Sequence, residues 1–268
     1  MGPAAVILMY HGLRPEADGE RDPDIGVERY VVSGEDFARQ MRWLRDAGFA
    51  SVPLGDFVAG GGGAAAHGRR PLGLTFDDGR RSDHRLALPI LREVGFHATF
   101  FIVTDWIGRP GFLSRGEVRE LAGAGMEIGS HTVSHRFLSE LSEQELRREL
   151  GVSRARLEDL TGRPVRFLAL PGGRCSRAAL RLAREAGYRG VCTSRVGAVR
   201  PGGGAFRLCR VPVLGGTPPA RFRRLVEPTP WGLGWARALA GVRRAVRRAV
   251  GRRAYEGIRD RVLARQWR

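Results

Sequence analysis

Short apolar runs alternating with amphipathic stretches constrain this chain more than any other feature. The runs are Ala5–Tyr10, Leu72–Phe76, Ala98–Val103, Met126–Gly129, Phe167–Leu170, Gly190–Thr193 and Arg210–Val213. Between them lie stretches with helical spacing: Phe37, Met41 and Leu44 within Ser33–Ala47, and Leu86, Ile90 and Leu91 within Asp83–Val94. Ser142–Leu160 opens with Ser142 and Glu145 at capping-box spacing and carries Leu146, Leu150 and Leu157 on one stripe. Repeated β–α units of this kind predict an α/β protein with a parallel sheet. Over roughly 220 residues they point to a (β/α) barrel or a barrel-like fold, and the pattern alone leaves an open doubly wound sheet standing.

The residues at the end of each run carry the chemistry. In a parallel barrel the carboxyl ends of the strands converge on one face, where side chains from different strands meet. Tyr10-His11 ends the first run, Asp77-Asp78-Gly79 the second, Ser130-His131 the fourth and Pro171-Gly172-Gly173 the fifth. Acids, imidazoles and a Gly-rich turn are thereby gathered at four strand ends. Each has a plain alternative: Asp-Gly is a common turn, and a lone strand-end histidine is usually structural. His131 and His135 form an H-x-x-x-H pair, spaced as one helical turn places two imidazoles toward one metal ion. His67, His84 and His97 fall instead at a loop, a helix start and a strand start.

These residues also carry a resemblance. Thr75-Phe76-Asp77-Asp78-Gly79 and Ser130-His131-Thr132-Val133-Ser134-His135 resemble the first two motifs of the polysaccharide deacetylases, the NodB-homology group of carbohydrate esterase family four. Ala98-Thr99-Phe100-Phe101 resembles the strand between them, and Leu170-Pro171-Gly172-Gly173 a variant of the third motif. The likeness spans roughly residues 5 to 226. It implies a distorted (β/α) barrel that removes N-acetyl groups from an N-acetylhexosamine in a glycan or glycan precursor. It also implies one divalent ion, zinc first, with Co2+, Ni2+ or Fe2+ as substitutes, on Asp78, His131 and His135. Asp77 matches the general base, and the Pro171-Gly172 loop would support the oxyanion through the Gly172 N–H.

Two departures stand out. The arginine that tethers the base in the third motif is missing, since that stretch reads Leu168-Ala169-Leu170; Arg166 and Arg80 are nearby candidates that do not match the motif. No histidine comes after His135, so the late catalytic histidine is absent too. Leu8-Met9-Tyr10-His11 resembles the opening of a branch that includes exopolysaccharide deacetylases, which makes His11 the expected general acid. Other readings of these residues are an O-deacetylase or amidohydrolase on the same fold, or a glycan- or membrane-binding module without turnover.

Charge and cysteines set the remaining bounds. The formal charge is +17 and every basic side chain is Arg. Residues 221–268 hold 14 Arg against Glu227, Glu256 and Asp260, a net +11 of that total. The chain therefore divides into a catalytic barrel, 1–226, and a basic tail, 227–268. Leu239, Val242, Val246 and Ala249 alternate at helical spacing with Arg243, Arg244, Arg247 and Arg248. Such a helix suits peripheral contact with an anionic membrane, where a lipid-linked glycan would be met; it equally suits packing on the barrel. Nucleic acid is the weakest partner, because no base-reading motif accompanies the charge. Cys175, Cys192 and Cys209 have no C-x-x-C spacing, so neither a disulfide framework nor a thiolate metal site is indicated. Gly60–Gly68 lacks the strand–turn–helix setting of a phosphate cradle. The opening MGPAAVILMYHG has no basic leader, so a cytoplasmic location is expected, and oligomeric state is left open.

Overall fold

A computed structural model describes residues 4–15, 28–60, 68–204, 206–227, 229 and 233–234. The strands are β1 (Ile7–Tyr10), β2 (Gly12–Arg14), β3 (Val31–Ser33), β4 (Phe49–Val52), β5 (Arg70–Phe76), β6 (Thr99–Ile102), β7 (Glu127–Ser130), β8 (Phe167–Ala169), β9 (Gly190–Cys192), β10 (Arg207–Leu208) and β11 (Val211–Pro212). The helices are α1 (Gly34–Asp46), α2 (Leu54–Ala59), α3 (Leu88–Val94), α4 (Arg115–Gly123), α5 (Glu143–Thr161), α6 (Arg177–Glu185) and α7 (Pro219–Val226). All seven expected runs contain strand, and α1, α3 and α5 fall where the apolar stripes placed them. A π turn over Asp83–Ala87 precedes α3. Both arms of the expected capping box form at the start of α5, with Ser142 and Glu145 each bonding the other's backbone N–H. The helices α2, α4, α6 and α7 are additions to the sequence reading.

The main sheet is parallel throughout and runs β10-β9-β8-β7-β6-β5-β1-β11, with β4 alongside the first half of β5. Its two ends are one stretch of chain. Residues 207–208 pair with β9, and residues 211–212 pair with β1, so a single extended segment crosses from one edge of the sheet to the other. That crossing curls the sheet into the expected distorted barrel. Arg210 sits at the crossing.

Strand alternation sorts the side chains into two cores. Leu8, Tyr10, Leu72, Leu74, Phe76, Phe100, Ile102, Ile128, Leu168, Leu170, Val191, Val211 and Val213 face outward and pack under the helices. Ile7, Phe101, Phe167, Ala169, Cys192 and Leu208 face inward, and Leu54 and Phe57 of α2 join them. Space inside is short: a Cβ on Gly129 would stand 2.5 Å from the Phe101 ring, so only glycine fits there. Continuing the inward alternation past the strand ends reaches His11 from Ile7, Asp77 from Gly73 and Thr75, His131 from Gly129, and Pro171 from Ala169. The sequence period that fills the barrel also aims these residues into its mouth.

No helix among the described residues is long and apolar enough to cross a membrane. The expected basic tail helix lies outside the described residues, although Leu233, at 0% exposure, still belongs to the barrel core.

Candidate active site

Asp77 lies at the inner end of β5, is 3% exposed, and its backbone N–H donates to the Tyr10 carbonyl at 3.0 Å. Its partner is Arg210, which is fully buried. The guanidinium grips the carboxylate with both arms, Nη1 to Oδ1 at 2.6 Å and Nη2 to Oδ2 at 2.7 Å. Arg210 Nη1 also reaches Thr75 Oγ1 at 3.3 Å, and Nε donates to the Thr193 carbonyl at 3.3 Å. Burial alone would push the Asp77 carboxyl up; Arg210, with His131 and His11, outweighs it and holds Asp77 well below the usual carboxylate range. The site thus keeps an anionic, oriented carboxylate in a dry place.

This arginine corrects the sequence expectation. Arg166 lies before β8, away from the strand's carboxyl end, and its carbonyl accepts from the Arg189 N–H. Arg80 stands beside the other aspartate, with Nε 4.0 Å from Asp78 Oδ2 and its guanidinium 4.5 Å from the centre of the Phe112 ring. Neither tethers Asp77. The signal for Arg210 was present in the sequence: it is the only charged residue of the run Arg210–Val213, and a charge in a buried strand requires a buried counter-charge.

Asp78 turns away from the strand register. Its φ of 80° is left-handed, as is the 73° of Gly79 after it, and this swings the carboxylate toward two imidazoles. His131 Nε2 lies 3.6 Å and His135 Nε2 3.5 Å from Asp78 Oδ1. One donor atom from each of the three residues falls within 4.8 Å of the others. Two ligands held about 2.1 Å from one ion stand roughly 3.3 Å apart, so the two distances from Asp78 fit a divalent ion with positions to spare. His131 Nδ1 meets the Ala169 carbonyl at 2.9 Å, which places the proton there and leaves Nε2 free to coordinate. Burial first, and His131 second, push His135 down to about 4 against the pull of Asp78, so it stays a neutral donor at neutral pH. The donor chemistry and spacing suit a metal centre.

The H-x-x-x-H pair does not lie on a helix, as its spacing suggested. Residues 131–137 form a loop with left-handed backbone at Thr132 (φ 71°) and His135 (φ 61°), and the two rings meet with centroids 4.8 Å apart. Trp106 covers His135, with ring centroids 4.9 Å apart.

His11 is brought to the same mouth. Its ring stacks on Tyr30 with centroids 4.6 Å apart, and its Nδ1 is buried without a hydrogen-bond partner among the described residues. Burial lowers its pKa, while Asp78 and Asp77 pull the other way, so the ring is coupled to both aspartates. Pro171 and Gly172 form a single tight turn after β8, the strand whose Ala169 carbonyl holds His131. Gly172 has φ 60°, and a Cβ there would come within 2.6 Å of Phe137, so the turn needs glycine on both counts.

Comparison with known proteins places this geometry. The sequence model described as polysaccharide deacetylase matches residues 64–191, a span that contains both aspartates, His131 and His135. YxkH of Bacillus subtilis, provisionally described as a polysaccharide deacetylase, is 27% identical over 225 residues, which is 82% of this chain and 75% of that protein. The peptidoglycan-N-acetylglucosamine deacetylase of Bacillus cereus is 32% identical over 124 residues, 46% of this chain and 56% of that protein. Among solved structures, the Streptococcus pyogenes deacetylase PplD in complex with acetate has the same fold, with a TM-score of 0.73 at 23% identity over 85% of this chain and 100% of that one. The motifs, the curled parallel barrel and these matches agree: residues 64–191, just under half of this chain, match the polysaccharide deacetylase family.

Proposed function

We propose that the chain hydrolyses the N-acetyl group of N-acetylglucosamine units in a glycan or a lipid-linked glycan precursor, with one divalent ion, zinc first among Co2+, Ni2+ and Fe2+, held by Asp78, His131 and His135. The observation that carries this reading is the adjacency of Asp77 and Asp78: one is clamped by Arg210 as a buried base, while the next residue faces two imidazoles. The substrate class is that named for the Bacillus cereus relative.

A bound divalent ion would polarise the acetyl carbonyl and acidify a water. Asp77 would then accept the proton of the attacking water, and Arg210 keeps its carboxylate unprotonated and oriented for that task. The Gly172 N–H, on the left-handed turn after β8, is the donor we assign to the developing oxyanion. His11, on the side of Tyr30, would deliver a proton to the departing amine nitrogen. The amide C–N bond breaks, water supplies hydroxyl to the acetyl carbon, and the products are acetate and a free glucosamine unit.

Acetate release from N-acetylglucosamine oligomers, with zinc added and with a chelator as control, tests this. Release that the chelator abolishes, and that D77N lacks, is expected. An intact zinc-loaded protein that releases acetate only from O-acetyl esters would replace the amide reading with an esterase on the same site.

A further inference from the structure

The loop carrying His131 and His135 is held in an unfavourable backbone shape. Two of its non-glycine residues, Thr132 and His135, are left-handed, a conformation that side chains with a Cβ rarely adopt. Short-range sequence preference therefore does not explain it, and outside contacts must impose it. They come chiefly from α5. Glu149, 6% exposed, aims its carboxylate at the middle of the loop. Its Oε2 accepts the Val133 N–H at 2.8 Å and the Ser134 N–H at 3.0 Å, and its Oε1 accepts the Ser134 hydroxyl at 2.5 Å. One turn further along α5, Ser153 Oγ lies 2.8 Å from Ser130 Oγ, which itself accepts the Thr132 N–H at 3.1 Å. From the opposite side the Thr104 and Asp105 N–H groups donate to the Thr132 and Val133 carbonyls at 3.2 and 3.0 Å.

A buried carboxylate is expensive unless several donors satisfy it, and all three donors to Glu149 among the described residues belong to the two residues before His135. We infer that Glu149 is a positioning residue of the metal centre: it fixes the Val133-Ser134 backbone so that His135 meets Asp78 and His131 in coordinating geometry. The inference rests on the metal-hydrolase reading above. It places the cost of losing Glu149 on metal affinity, beyond any cost to folding.

Zinc affinity by chelator competition, together with thermal unfolding of the metal-free protein, tests this on E149A, E149D and E149Q of the full chain. Gln can still accept both amide protons on its oxygen and donate to Ser134 Oγ, so E149Q should bind zinc close to the wild type. E149A leaves both amides unsatisfied, and E149D is one methylene too short to hold both; each should weaken zinc binding by about 10- to 100-fold, the range for groups that orient metal ligands. Where E149A does not fold, E149D against E149Q carries the comparison. If both E149A and E149D bind zinc as tightly as wild type, with only the melting temperature lowered, Glu149 is structural and this inference fails alone. If the wild type binds no divalent ion, the metal-hydrolase reading fails and takes the inference with it.

Discussion

Arg210 and Asp77 form a demanding pair, because both are buried and each is the other's only counter-charge at hydrogen-bond distance among the described residues. Removing one partner from such a pair leaves an uncompensated charge and commonly costs 3–5 kcal/mol, so R210M should unfold about that much more easily in urea. R210K keeps the charge but loses the planar two-armed grip, and should recover only part of the loss. D77N is a different perturbation: its amide accepts from one arm of Arg210, meets the other donor to donor, and accepts no proton from water, so stability falls along with rate. Acetate release should fall about 10²- to 10⁴-fold or more, with zinc affinity retained. H11A should show the same split between rate and metal binding; undiminished release would remove His11 from the mechanism. Asp77, Asp78, His131 and His11 were legible in the sequence because each closes a short apolar run, and His135 because of its H-x-x-x-H spacing; strand alternation then fixes the direction of those that continue a strand. Arg210 was not assigned because its partner lies 133 positions earlier, and only the closing of the barrel brings them together.

At the scale of elements, seven of the eleven strands were legible from apolar runs, and α5 from its cap and stripe; the short β2, β3, β4 and β10 were not. The shape of the His131–His135 loop was not, because Thr132 and His135 take backbone angles that their own residue types disfavour, and contacts from α5 and the chain after β6 impose them. The cap of α5 offers a check on local electrostatics. The Ser142 N–H first, then the Ser142 hydroxyl and Arg136, pull Glu145 down to about 2. A folded value below the unfolded one, near 4.3, means that the unfolded chain takes up the proton first as pH falls. The stabilising contribution is therefore complete above about pH 5 and is lost as pH drops from about 4 toward 2. The urea midpoint of E145Q should lie below that of wild type at pH 7, and the gap should narrow steadily across that acid window. No gap at any pH would assign the cap's benefit to the Ser142 hydroxyl alone, and a gap independent of pH would assign Glu145's share to hydrogen bonding without charge.

For the whole molecule, charge is distributed in a way the barrel does not require. Among residues 221–268 the net charge is +11, leaving only +6 for the other 220 residues, and the spacing of Arg243, Arg244, Arg247 and Arg248 against Leu239, Val242 and Val246 suits an anionic surface. Basic side chains near such a surface contribute about 1 kcal/mol each, within a Debye length, so the attraction should be strong at low salt and weak at high salt. The barrel core extends to Leu233, so a chain ending after Gly234 keeps that packing while shedding 11 of the 14 arginines counted from 221 onward, whose first three are Arg221, Arg223 and Arg224. The 268-residue chain should sediment with vesicles containing anionic lipid at low ionic strength and return to the supernatant when salt is raised. The shortened chain should remain in the supernatant throughout, with acetate release from soluble oligomers unchanged. Equal recovery of both proteins in the supernatant at low salt would reject the membrane contact and leave the tail's arginines to some other surface. Co-sedimentation of both would place the attraction on the barrel itself.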